Sequence, residues 1–262
     1  MFTLHNGDCL TVLPSIPSGS IDAIITDLPY GTTACKWDTI IPFAPMWREV
    51  KRVLKPNGAF ITTASQPFTS ALIMSNIKYF RHEWIWEKDK GANFLQSNFQ
   101  PLKTHENILV FSAGKTTYNP QKTINPNKQS RTDRPQLSEK RKEAGLSVSR
   151  FVSSDKYEND KLMPRSIQYF TRNVPKGGTL HPTQKPVALY EYLIKTYTNE
   201  GETVLDIAMG SGTTIEAAER TGRNSIGIEK DEGIFQSAVL RLKSFTPSNT
   251  ACSGRVDSSG SP

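Results

Sequence analysis

Cysteine is scarce in this sequence: Cys9, Cys35 and Cys252 are the only three in 262 residues. They form an odd set without C-x-x-C spacing, and the histidines His5, His82, His105 and His181 are scattered. Neither a disulfide framework nor a zinc or other metal site is expected from that inventory. Long apolar runs are missing too, and none approaches the roughly 18–20 residues of a membrane span, so no membrane partner is expected. The opening MFTLHNGDCL has none of the charged, apolar and small-residue regions of a signal peptide, which points to a cytoplasmic protein. Internal repeats are absent. Acidic residues are outnumbered, 25 Asp and Glu against 32 Lys and Arg, for a formal net charge of +7 and a pI near 9.2. An excess of this size suits a polyanionic partner without requiring one.

At 36% hydrophobic residues the chain can bury a core. Its length fits one large α/β domain or a catalytic core carrying an inserted module. Short β-rich runs alternate with helical patterns, which predicts a mostly parallel sheet flanked by helices. The expected strands are 2–6, 21–26, 58–63, 83–88, 107–112, 203–208 and 225–229, and the expected helices lie near 44–55, 66–77, 186–198, 213–222 and 231–244. KPNG at 55–58 reads as a turn that stops the first helix before the next strand. Between about 113 and 180 the pattern breaks into a polar stretch rich in Lys, Arg, Ser, Asn and Pro. An insert of that length inside a compact domain is functional or a solvated flexible loop. The tail, 246–262, is small and polar and is expected to be disordered.

Three stretches carry chemistry. TDLPYGTT (26–33) follows the apolar run IDAII and sets an acid, a proline and a tyrosine at a strand's carboxyl end. Alone, those residues suit a turn as well as a site, with Asp27 capping, Pro29 fixing φ and Tyr30 covering the core edge. TVLDIAMGSGTT (203–214) reads as strand, acid, glycine turn and helix start. Gly210 and Gly212 let the backbone turn sharply and approach a ligand, and Thr213 and Thr214 open the helix, a geometry suited to a nucleotide-like cofactor. Glu229, at the end of the next strand, is placed to accept ribose hydroxyl protons. Ile215 occupies the third glycine place of G-x-G-x-x-G, so a dinucleotide fold is weakly supported. HPTQKP (181–186) leads into a helix with Pro186 at its first turn, where Lys185 and Thr183 can hold a carboxylate.

Taken in order, GDCL, DLPY, HPTQKP and LDIAMGSGTT resemble the beta group of amino-methylating DNA methyltransferases, over roughly residues 3–112 and 179–240. The resemblance implies a Rossmann-like methyltransferase fold with a mostly parallel seven-stranded sheet and circularly permuted motif order. It divides the chain into a catalytic half of the core (1–112), a target-recognition insert (113–178), a cofactor-binding half (179–245) and the tail (246–262). It implies S-adenosyl-L-methionine as cofactor. Asp206, Ala208, Gly210, Gly212 and Thr213 fall on the cofactor loop, Glu229 on the ribose acid and Asp8 near the cofactor's adenine. His181, Thr183 and Lys185 fall on the segment that holds the methionine end, and Asp27 also borders the cofactor. Asp27, Leu28, Pro29 and Tyr30 match the catalytic tetrapeptide, whose commonest form is Asp-Pro-Pro-Tyr. Leu28 replaces the first proline, keeps the backbone carbonyl that the family uses, and is biased toward an extended conformation by Pro29.

The chemistry then expected is methyl transfer to the N6 amine of an adenine flipped out of duplex DNA. Asp27 and the Leu28 carbonyl would hold the amine, and Tyr30 would stack on the base. The basic insert residues Lys122, Lys128, Arg131, Arg134, Lys140, Arg141 and Lys142 would contact phosphates. An N4-cytosine enzyme, an RNA enzyme and a non-catalytic cofactor- or DNA-binding protein are the alternatives. Partners implied are double-stranded DNA, with a homodimer and a cognate restriction endonuclease also compatible with the resemblance.

Overall fold

The computed structural model describes residues 1–32, 38–125, 161–171 and 184–245. An eight-stranded sheet forms the centre of its larger unit, which comprises Met1–Asn119 and the residues from Ser166 onward. Strands β1 (Phe2–Asn6), β2 (Ile21–Thr26), β3 (Leu54–Ala64), β4 (Phe80–Ala92), β5 (Lys103–Phe111), β8 (Ile167–Tyr169), β9 (Thr203–Asp206) and β10 (Asn224–Glu229) lie in the order β1-β10-β9-β2-β3-β5-β4-β8. The β1 to β3 side is parallel throughout, whereas β5 runs antiparallel to both β3 and β4. A second compact unit, Pro120–Arg165, contains the two-residue strands β6 (Thr123–Ile124) and β7 (Lys161–Leu162), paired antiparallel.

The helices are α1 (Cys9–Val12), α2 (Phe43–Val53), α3 (Phe68–Ser75), α4 (Val187–Tyr197), α5 (Thr213–Arg220) and α6 (Glu232–Phe245). Both faces of the sheet are covered, which is why β2 reads as a mostly apolar run rather than an alternation. Ile24 packs into one cluster with Met46, Trp47, Val50 and Val53 of α2 and Phe68 and Leu72 of α3. Ile25, its neighbour, packs into the opposite cluster with Leu189, Leu193, Ile194 and Tyr197 of α4 and with Ala217 and Ala218 of α5. Met46, Val50 and Val53 recur at helical spacing, so one stripe of α2 faces the sheet. Each such large side chain contributes roughly 1.5–3 kcal/mol on burial. A third cluster, Leu4, Met209, Ile215, Phe235, Ala238, Val239 and Leu242, seats α6 beside β10.

Three local expectations are corrected. The sheet has eight strands rather than seven, because Ile167–Tyr169 adds parallel to Ile85–Glu87 of β4. That short strand lies inside the polar stretch expected as an insert, where no apolar run announces it. KPNG is not a turn outside the strand: α2 ends at Val53, and residues 55–58 bulge out of β3 between the pairs Ile21↔Leu54 and Ala23↔Ala59. Lys55 Nζ donates to Asp22 Oδ1 at 2.7 Å across that bulge. β4 and β5 also extend past their expected ends, through KDKGA and KTHE, since only their inner halves are buried enough to show a β pattern.

Gly227 of β10 has no room for a side chain: a Cβ there would collide with Met209 Sδ and stand 3.1 Å from Ile215 Cδ1 and Leu4 Cδ2. Gly227→Ala is therefore expected to lower stability by about 1–3 kcal/mol, the usual cost of overpacking. Urea unfolding measures this, and an unchanged midpoint would mean that Met209 yields without cost.

Candidate active site

Four neighbouring parallel strands each deliver one acid at or just past the carboxyl end. Asp8 follows β1, Glu229 ends β10, Asp206 ends β9 and Asp27 follows β2. All four line one open cavity of about 590 Å³. It lies at the switch point of the sheet, where the chain proceeds from β9 toward one edge and from β2 toward the other, the usual ligand position in an open α/β sheet.

On the β9 side the acids organise backbone. Asp206 is buried, and its Oδ1 accepts from the Thr26 hydroxyl at 2.7 Å and from the Ala208 N–H at 3.1 Å. Its Oδ2 accepts from the Thr214 hydroxyl. Burial is the leading cause that pushes its carboxyl up to about 6, against the pull of those hydrogen bonds. Glu229 uses Oε2 to accept from Gly210 N–H at 2.9 Å and Oε1 to accept from Asp231 N–H at 2.8 Å. Burial raises its pKa as well. Between these two acids the glycine turn passes through the left-handed region, with φ of +51° at Gly210 and +79° at Gly212. A Cβ at Gly210 would meet no protein atom within 4 Å, so this backbone borders open cavity. At Gly212 a Cβ would press on Leu242 at 3.1 Å, and this residue instead caps α5. Asp8 caps α1, accepting from Leu10 N–H at 2.9 Å, and pairs with Lys230 at 3.0 Å. Burial opposes ionisation of Asp8, but the Lys230 contact and the Leu10 N–H together outweigh it and its pKa is lowered.

On the β2 side one carboxylate gathers three donors. Asp27 Oδ1 accepts from the Tyr30 hydroxyl at 2.9 Å and from the Thr63 hydroxyl, and Oδ2 accepts from Lys185 Nζ at 2.6 Å. Lys185 lies 3.5 Å from Glu106 Oε2, and Lys88 pairs with Glu106 Oε1. Burial disfavours the Lys185 charge, yet Asp27 and Glu106 together outweigh it and raise its pKa, so it stays an ammonium. The Tyr30 ring stacks on Phe68 at a centroid distance of 5.2 Å and an interplanar angle of 28°. Burial, then the Asp27 charge, pushes its phenol well above the ordinary range, so it remains a donor. Leu28 is 3% exposed and sits in the core cluster with Ile24 and Phe60. Beyond the tetrapeptide, Asp38 accepts from the N–H groups of Gly31 at 2.8 Å and Thr32 at 2.9 Å and ties that loop down.

Asp8, Asp27, Leu28, Pro29, Tyr30, Lys185, Asp206, Ala208, Gly210, Thr213 and Glu229 thus line one cavity. Gly212 stands behind it as the helix cap. His181 and Thr183 lie outside the described residues, as do Lys128, Arg131, Arg134, Lys140, Arg141 and Lys142. The Lys185 ammonium contacts the Asp27 and Glu106 carboxylates. Sequence reading missed Thr63, Glu106 and Asp38. The available signal was a lone acid, Glu106, heading the apolar run NILVF. Among the described residues no group of three or more His, Cys, Asp or Glu could hold a metal ion, and no helix is long and apolar enough to cross a membrane.

The raised pKa of Asp206 makes stability pH-dependent in a definite direction. Between about 4 and 6 the unfolded chain releases this proton while the folded chain keeps it, so the group lowers stability as pH rises through that window. Asp206→Asn keeps an acceptor for Thr26 and Ala208 and removes the buried charge. The variant should match or exceed the parent's melting temperature at pH 7.5, and its advantage should vanish toward pH 4. Melting curves in which parent and variant run parallel from pH 4 to 7 would contradict this.

A family model described as DNA methylase, of the N6/N4 methyltransferase type, matches residues 21–240. The chain is 27% identical to the type II methyltransferase M.HinfI of Haemophilus influenzae over a 277-residue alignment, covering 94% of this chain and 69% of that one. It is 30% identical to the type II methyltransferase M.HpaI of Haemophilus parainfluenzae over 253 residues, covering 90% and 73%. Among solved structures, an M1.HpyAVI–SAM complex superposes with a TM-score of 0.63 at 24% identity, covering 92% of this chain and 99% of that one. The cytosine-N4-specific PvuII DNA methyltransferase superposes with a TM-score of 0.65 at 18% identity, covering 95% and 90%. At such identities the structural likenesses establish a shared fold, and the match over 21–240 establishes the family. The chain belongs to the N6/N4 DNA methylase family.

Proposed function

We propose that this protein methylates the N6 amine of adenine in duplex DNA at a specific sequence, with S-adenosyl-L-methionine as methyl donor. The observation that carries the reading is the Asp27 carboxylate, fixed by three donors on the wall of the cavity that the glycine turn and Glu229 also line. The residues present fit the donor. The cavity volume falls within the roughly 300–1,000 Å³ of small-ligand sites, and the Gly210 backbone borders space that a side chain would fill. Glu229 and Asp8 are placed for the ribose and adenine ends, and Gly210 and Thr213 for the turn that runs beside the ligand. When bound, S-adenosylmethionine supplies an electrophilic methyl group on a sulfonium sulfur.

The protein's part is to make a poor nucleophile reactive. A carboxylate offers about four acceptor positions, and Tyr30, Thr63 and Lys185 use three of those on Asp27. The remaining one, on Oδ2, and the neighbouring Leu28 carbonyl match the two N–H groups of an exocyclic amine. Held there, the nitrogen lone pair turns out of conjugation with the ring and toward the glycine-turn side of the cavity. Positive charge developing on the nitrogen faces the Asp27 carboxylate, which can accept the proton released. The base must leave the duplex to reach this wall, and the anchored Tyr30 ring offers it an aromatic neighbour.

N4-cytosine methylation is the second reading, favoured by the superposition on the cytosine-N4-specific PvuII enzyme. Adenine is preferred on the acidic first residue of the tetrapeptide, where cytosine enzymes of the resembling group more often carry serine. A restriction–modification setting, with a cognate endonuclease as partner, is supported by the type II methyltransferases among the relatives.

Nucleoside mass spectrometry of unmodified genomic DNA incubated with the protein and methyl-labelled cofactor should find label in N6-methyladenine. Label only in N4-methylcytosine would overturn the base assignment, and no labelled nucleoside would overturn DNA methylation. Asp27→Asn, which keeps the side chain's shape, should slow transfer by about 100-fold or more, the typical effect of losing a preorganised electrostatic group, and leave cofactor affinity within a few fold. Gly210→Val should do the reverse in calorimetry and abolish cofactor binding. Intact binding by the Gly210 variant would remove the cofactor role assigned to that turn.

A further inference from the structure

The hairpin joining β4 to β5 carries a group of side chains that neither the core nor the cavity uses. Between Ala92 and Lys103, the last cross-strand pair, residues 93–102 read NFLQSNFQPL. Leu95 is 98% exposed, Phe99 90% and Phe94 65%. Three large apolar side chains within six residues on one loop form a costly surface unless a partner covers it. This loop is also ordered by its own backbone. Gln96 N–H donates to Asn93 O at 2.9 Å, Ser97 N–H to Phe94 O at 3.2 Å and Phe99 N–H to Gln96 O at 2.9 Å. At its root a Cβ on Gly91 would stand 2.9 Å from Leu102 Cβ, so the two strands close tightly below the tip. The apolar tip is therefore presented from a defined turn.

Register fixes which end of the sheet the tip occupies. Ala64, at the carboxyl end of β3, pairs with Asn107, and β3 runs parallel to β2. The start of β5 and the end of β4 thus rise on the same side as Asp27. Glu106 and Lys88, from the two arms of the hairpin, join Lys185 and through it Asp27. Only three residues, about 10 Å of strand, separate Glu106 from Lys103 at the root of the tip. Chemistry narrows the partner. Residues 93–102 contain no charged side chain, only amides, a serine, a proline and the apolar set, and Asp89, Lys90 and Lys103 flank them, the two lysines outside the ion pairs of Lys88. Amides that read base edges, flanking cations for phosphates and an apolar projection match a DNA duplex.

We propose that the 93–102 tip is a wedge that enters the duplex beside the target nucleotide, with Leu95 and Phe99 filling the stack that the displaced base vacates. The inference rests on the DNA-methylation reading. A base turned out of the helix leaves an unstacked gap, and architectural proteins fill comparable gaps with Phe, Leu or Met at base steps.

The test compares wild type with Leu95→Ala/Phe99→Ala on two duplexes carrying the sequence that the protein methylates. One is fully paired, and in the other an abasic residue stands opposite the target base. Because both side chains are almost fully exposed, truncation should leave the melting temperature and cofactor affinity unchanged. On the paired duplex kcat/KM should fall by about tenfold or more, equivalent to about 1.4 kcal/mol. On the abasic duplex, where the target is already unpaired, the variant should recover to within a few fold of wild type. Wild-type activity of the variant on paired DNA would overturn the proposal and assign the tip to some other partner. An equal loss on both duplexes would overturn it as well, marking the tip as a general DNA contact. Wild-type protein that transfers no methyl to either duplex would instead sink the DNA-methylation reading, and this inference with it.

Discussion

The site depends on one buried contact between distant parts of the chain: the Thr26 hydroxyl donating to Asp206 across 180 residues of sequence. β2 and β9 pair in parallel only through Ala23↔Val204 and Ile24↔Leu205, just below that contact. Asp206 then reaches upward to Ala208 N–H and to the Thr214 hydroxyl. A single carboxylate therefore sets the spacing between the strand end that carries Asp27 and the glycine turn that follows β9. Its pKa of about 6 measures the cost of keeping a charge in so dry a place. The cost is tolerated because a methyl-transfer site needs its two halves fixed to within fractions of an ångström.

Charge is handled in the same way on the opposite wall. Asp27, Lys185, Glu106 and Lys88 alternate in sign, and each touches the next. An isolated buried carboxylate would cost several kcal/mol in lost hydration, and an isolated buried ammonium as much. Alternation offsets part of that cost and holds the Asp27 side chain in place. It also ties the β4–β5 hairpin to Asp27, because Lys88 and Glu106 come from its two arms. A movement of the hairpin on DNA would pull on the same ion pairs that hold Asp27.

Much of this was legible in the sequence, for identifiable reasons. β2 was visible because both of its faces are buried, so its run is mostly apolar, and β10 because Ile226 and Ile228 stand just before an acid. Asp27, Asp206 and Glu229 were visible because each acid directly follows or ends such a run. The glycine turn announced itself by residues that tolerate positive φ. What stayed hidden depends on partners far away in sequence. Thr63 and Glu106 stand in ordinary strands, and only the order β2-β3-β5 brings them to Asp27. Spacing revealed Lys185 as a cation near a helix start but not its contacts with Asp27 and Glu106. β8 was lost inside polar sequence because a three-residue edge strand has no pattern of its own.

Leu28 shows how packing can replace a conformational restraint. Where the commonest tetrapeptide has a proline, this chain has a leucine whose freedom Pro29 limits only partly. The fold supplies the remainder by burying the Leu28 side chain in the cluster of Ile24, Phe60 and Phe68. Phe68 also stacks on Tyr30, whose hydroxyl reaches back to Asp27. The acceptor carbonyl, the aromatic ring and the carboxylate are thus held against one apolar surface. Well-packed interiors transmit a change of even a methylene group. Loosening this part of the core would therefore shift Leu28, Tyr30 and Asp27 together, so here core packing and the geometry of the cavity wall are the same constraint.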